Sequence, residues 1–141
     1  MKKLISLFFI GLISIASLEA KQSEKRAMLM SDMKLMLDAM TEIQSAGFYN
    51  SIDGMKSGVI NLQKAIKSLE TEDVKEILPK DQAYAYKFAQ KTARMLRLYS
   101  SDLIESVEDG RMGDALEDYT QLLRQCTSCH IRIRQWGETG F

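Results

Sequence analysis

The residues best suited to chemistry in this chain stand in one pentapeptide, Cys126-Thr127-Ser128-Cys129-His130, which holds both cysteines and the single histidine of the 141 residues. On a helix, thiols three positions apart face the same way, and the residue after the second shares their arc. Two such thiols can add across the two vinyl groups of a porphyrin while the adjacent imidazole meets the iron, and C-x-x-C-H is read as a covalent haem attachment site. At about 100° per residue, Cys126, Cys129 and His130 fall in one arc with Tyr119, Leu122, Leu123 and Ile133. The expectation is one haem c per chain, tethered to the apolar face of a helix.

Three other chemistries use parts of the motif. A dithiol redox centre normally follows a strand in a βαβ setting, and no strand-like alternation precedes Gln121. A structural zinc site needs four ligands, and Cys126, Cys129 and His130 are all that the Cys and His inventory offers. A plain disulfide leaves His130 without a role.

Four helical segments can position the motif. The first runs from about Ser23 to Gln44 and ends before Gly47, with Leu29, Met33, Met36, Leu37, Met40 and Ile43 in one arc. Ser51 can cap a second, in which Ile52, Met55, Val59, Leu62, Ile66 and Leu69 recur at spacings of three and four, the seam of an antiparallel pair. The charged run from Glu70 to Asp81, interrupted by Pro79, reads as a surface connection. A third helix from about Asp81 to Glu108 carries Ala85, Phe88, Ala89, Thr92, Leu96, Tyr99, Leu103 and Val107 on one side. Asp109-Gly110 ends it, and a fourth runs from Gly113-Asp114 through the motif to about Trp136. One Pro and 8 Gly leave little turn material, so the predicted fold is all-α, an antiparallel four-helix bundle with one covalently bound haem.

Residues 1–20 read as a secretory signal peptide. Met1-Lys2-Lys3 is basic, Leu4 to Leu18 is an apolar run too short to span a bilayer comfortably, and a cut after Ala20 follows a small residue. An uncleaved anchor is the alternative, and the only route to a membrane association. The remaining residues, 21–141, form one domain with 17 basic and 18 acidic side chains, a balance that gives no support for a nucleic-acid partner.

His130 is followed by 11 residues that contain no Met, His, Lys or Cys, so a second axial iron ligand has to come from upstream. Met28, Met30, Met33, Met36 and Met40 crowd the first helix, where most of them serve as flexible core filler.

In these features the chain resembles the class II c-type cytochromes, which include cytochrome c′ and its low-spin, methionine-ligated relatives. The likeness extends over the whole mature length: signal segment, four helices, and C-x-x-C-H in the last of them. In that family an arginine early in the first helix precedes the distal residue by four positions, as Arg26 precedes Met30 here. Met33 and Met40 stand seven and fourteen residues after Arg26, Tyr49 opens the second helix, and Arg134 lies four residues after His130. The chain departs from the family around Gly47, where the usual Lys-Gly pair is missing. Met33-Lys34 also resembles the Met-Lys pair around the ligand in some members, which keeps Met33 as the alternative to Met30. The resemblance implies a periplasmic, exported, monohaem carrier of single electrons, not an enzyme, with iron held by His130 and Met30. Arg26 and Arg134 would stand in the haem environment, redox proteins would be the partners, and a homodimer would form through the first two helices. A bulky apolar distal residue would instead imply a five-coordinate, gas-binding protein of the cytochrome c′ kind, taking nitric oxide or carbon monoxide.

Overall fold

The computed structural model describes residues 2–71, 74–78 and 84–134, with side chains for residues 21, 23–71, 74–76, 78 and 84–133. Regular structure among them is entirely helical: α1 (Lys2–Phe48), α2 (Ile52–Ala65), α3 (Lys67–Glu70), α4 (Val74–Ile77), α5 (Ala85–Glu108) and α6 (Met112–Arg134). Trp136 lies outside the described residues, as does the Asp81 start expected for the third helix.

Two residues with left-handed backbones end the long helices. Asn50 has φ 53°, and beyond it the Ser51 N–H reaches the Ala46 carbonyl at 2.9 Å while the Asn50 N–H reaches Gly47 at 3.2 Å. This closing pattern satisfies carbonyls that the end of α1 would leave bare. Gly110, φ 71°, does the same for α5, with the Arg111 N–H on Ser106 at 2.8 Å and the Gly110 N–H on Val107 at 3.2 Å. Ser51 then caps α2, its Oγ accepting from the Gly54 N–H at 3.2 Å. The first helix therefore passes Gln44 and Gly47 and stops at Asn50, which tolerates the left-handed region better than most residues. The expected cut after Ala20 falls within α1, and the side chains on its N-terminal side lie outside the described residues. Among the described residues no helix is long and apolar enough to cross a membrane.

The helices pack as two antiparallel pairs. In α1–α2, Gly58 meets Ala39 and Ile43 while Gly54 meets Ala46. A Cβ added at Gly58 would come within 2.7 Å of Ile43 Cγ1 and 3.1 Å of the Ala39 carbonyl oxygen, so the missing side chain sets the distance between the two backbones. In α5–α6, Ser106 Oγ donates to Asp118 at 2.9 Å near the turn, and Arg132 lies 4.8 Å above the Phe88 ring at the far end. The pairs join through α2 and α5, where Lys56 pairs with Glu108 and Gln63 donates to Ser100 at 3.0 Å, and through α3, whose Glu70 is gripped by Arg97 of α5 at 2.9 and 2.8 Å. Between them Val59, Leu62, Ile66, Leu103, Val107 and Leu122 are fully buried. Among the described residues α1 and α6 make no extensive contact with each other.

The run from Glu70 onward differs from the expected surface connection. It contains α4, with Val74 in the core and Leu78 packed against it. Val74 and Leu78 are four apart and share one helical face, while Lys75 and Glu76 stay exposed. Glu76 pairs with Lys25, which fastens α4 to α1. Among the described residues the fold has six helices rather than four with a bare linker.

Candidate functional site

The C-terminal half of α6 carries Cys126, Cys129 and His130 toward α1, and the three side chains line one cavity of about 160 Å³. The opposite wall is α1, through Met33, Met36, Leu37 and Met40, and the floor is Leu69 of α3 with Thr92 and Leu96 of α5. The lining is otherwise apolar, with Thr92 and His130 as its polar side chains apart from the thiols. Leu37 and Leu123 line the cavity although they are 66% and 42% exposed, so they mark its mouth on the α1–α6 side.

Both thiols are free in this structure, Cys129 buried and Cys126 partly buried. Burial pushes Cys126 up to about 11, with the neighbouring Cys129 adding to the rise. Burial also raises Cys129, against an opposing hydrogen bond with Thr92. Tyr119, one turn before Leu123 on α6, is raised by burial and then by Cys126. Both cysteine shifts favour the protonated thiol. A thiol redox centre works through a lowered pKa, so these surroundings oppose the dithiol alternative. Among the described residues no group of three His, Cys, Asp or Glu side chains is arranged to hold a metal ion between them.

The other expected site residues are not all brought together. Met33 faces the cavity and Met30 does not, being 62% exposed. Met30 precedes Leu37 by seven residues, so both sit on the solvent side of the mouth. Arg26 is exposed on α1, and the Arg134 side chain lies outside the described residues. Tyr49, 82% exposed, stands in the α1–α2 turn. Thr92 belongs to the apolar arc read in the third helix but was not expected at the site. A buried hydroxyl interrupting an apolar stripe was the available signal.

The residues fit a covalently held haem in kind: two thiols, an imidazole beside them, and a wall of methionine and leucine. The cavity is smaller than the ~300–1,000 Å³ of ordinary small-molecule pockets. A macrocycle therefore fits with an edge in solvent or with α1 and α6 further apart, and that seam has little packing to lose. A second groove of about 620 Å³ continues along it, between Phe48 and Ile52 on one side and Met112 and Leu116 on the other. The chain matches no protein-family model, no curated protein and no solved structure.

Proposed function

We propose that this chain is an exported monohaem c-type cytochrome that carries single electrons between redox proteins, built as a four-helix bundle of the class II kind and not an enzyme. The observation that carries this reading is the convergence of Cys126, Cys129 and His130 on an otherwise nearly apolar cavity against a methionine-rich wall. A haem bound there supplies an iron that alternates between two oxidation states. Cys126 and Cys129 would hold it through thioethers, and His130 would be the iron ligand from α6. On the α1 side Met33 takes the ligand role ahead of Met30, because Met33 lines the cavity and Met30 is largely in solvent. A methionine ligand in addition to histidine would raise the reduction potential. The apolar lining excludes water, and Thr92 offers a hydroxyl beside Cys129 that helps fix that end of the motif. Arg26 and Arg134 remain assigned to the haem environment on the resemblance alone.

The exposure of Met30, at the position where the resemblance puts the distal residue, favours one second reading. If no methionine reaches the iron, the protein is five-coordinate and binds nitric oxide or carbon monoxide. The test is the visible spectrum of the mature protein, oxidised and reduced, with and without carbon monoxide. A low-spin spectrum with a methionine–iron band, indifferent to the gas, supports the electron carrier. A high-spin spectrum that shifts at once with the gas supports the second reading, and absence of covalent haem after expression with the attachment machinery removes both.

A further inference from the structure

Formal neutrality conceals a sharp separation of charge along α5 and α6. From Ala85 to Arg97, α5 carries Lys87, Lys91, Arg94 and Arg97 and no acidic residue, whereas the stretch beyond carries Asp102, Glu105 and Glu108 and no basic one. In α6 the order is reversed: Asp114, Glu117 and Asp118 come first, then Arg124, Arg132 and Arg134 with no acidic residue. Because the helices are antiparallel, the two basic halves lie side by side, at the same end as Cys126, Cys129 and His130.

We infer that the outer face of this basic end, formed by Lys87, Lys91 and Arg94 of α5 with Arg124 and Arg132 of α6, docks an acidic patch on a partner protein. All five side chains are exposed, and none forms a salt bridge among the described residues, in contrast to Arg97 on Glu70 and Arg111 on Asp109 and Asp114. On α5, positions 87, 91 and 94 follow the helical repeat and form one stripe. Arg132 over Phe88 joins the two helices into a single surface. Ile131, 57% exposed, and Leu98, 51% exposed, give that surface an apolar component among charges, the usual make-up of an interface. Thr92 and Leu96 point inward from α5 while this stripe points outward. One helix, about 10 Å thick, therefore separates the face from the cavity.

The extent of the charge chooses the class of partner. The basic stretch from Lys87 to Arg97 is about 15 Å long, and Asp102 opens the acidic half only about 8 Å further on, roughly one Debye length at physiological salt. A flat anionic membrane or a nucleic-acid duplex laid along the face would meet both halves and be repelled by one. A compact acidic patch covers the basic half alone. Two helices about 20 Å wide together give a small footprint, at the weak and transient end of protein interfaces. Fast, charge-steered, short-lived contact suits that size. That the partner is a redox protein rests on the electron-carrier reading; the docking face does not.

The test is calorimetric titration of the full-length protein with polyglutamate and, separately, with vesicles of phosphatidylglycerol and phosphatidylcholine. Polyglutamate should bind at low salt, weaken as salt is added, and bind about tenfold more weakly to the variant Lys87→Glu/Lys91→Glu/Arg94→Glu. Asp114→Lys/Glu117→Lys, at the other end, should not weaken it. Equal binding by the triple variant, with unchanged circular dichroism, would overturn the assignment. So would vesicle binding without polyglutamate binding, which would make the face a membrane surface. The visible spectrum of each preparation reports haem separately, so a failed docking face and a failed haem assignment give different results.

Discussion

Met30 and Met33 are three residues apart on α1, yet Met33 lines the cavity and Met30 is largely in solvent. Met33→Leu in the haem-loaded protein is expected to remove the methionine–iron band and admit carbon monoxide, while Met30→Leu leaves the spectrum unchanged and alters stability by less than about 0.5 kcal/mol. A spectrum unchanged in Met33→Leu would end its candidacy as ligand. The thiols carry a second expectation, for the haem-free chain. Their folded pKa values stand above the unfolded ones, Cys126 at about 11 against an ordinary 9, so folding favours the protonated form. That stability is complete below pH about 9 and is lost as pH rises toward about 11. Thermal melts across this range should show the loss without haem. With both sulfurs consumed as thioethers, this contribution should vanish.

Among the elements, the α1–α2 contact is the most exacting. Gly58→Ala forces a methyl against Ile43 and the Ala39 carbonyl and should cost about 1–3 kcal/mol in denaturant melts. Gly47→Ala, helical and with nothing within 4 Å of the added methyl, should instead stabilise by about 0.4–1 kcal/mol. The join between pairs has its own pH signature. Arg97 holds the Glu70 carboxyl below its usual range, mainly by hydrogen bonding, so this pair helps above pH about 4.5 and is lost as pH falls below it. The two side chains are 28% and 38% exposed, which limits the effect to under about 1 kcal/mol. Glu70→Gln should flatten that part of the acid titration. Much of this level was readable in advance. Ser51 as a cap, the motif on a helix, and the inward set Ala85, Ala89, Thr92, Leu96, Leu103 and Val107 all follow from spacing. The exposed Leu37 and Met30 were not, because periodicity within α1 gives a helical phase but not where α6 stops short of it. Val74 was hidden in a charged stretch, where Lys75 and Glu76 beside it stay exposed while it turns inward.

For the whole molecule, two surfaces remain to be covered. The charged end of α5–α6 argues for a partner of opposite sign. Met28 and Leu35 on α1 and Ile60 on α2 stand exposed, and a homodimer through the first two helices, as the resemblance implies, would cover them. Sedimentation velocity should then show dimer growing with concentration, and Leu35→Glu should return the protein to monomer; a monomer throughout the micromolar range would discard that interface. The glycine contact and the loose α1–α6 seam have a further consequence, in hydrogen exchange. Helices locked at backbone distance open last, and those facing a gap open first. Without haem, amides of α2 from Met55 to Leu62 and of α1 from Ala39 to Ala46 should exchange slowest, and those around Leu123 to His130 much sooner. A protein of this build keeps its rigidity on one flank and its adaptability on the other, where the thiols wait.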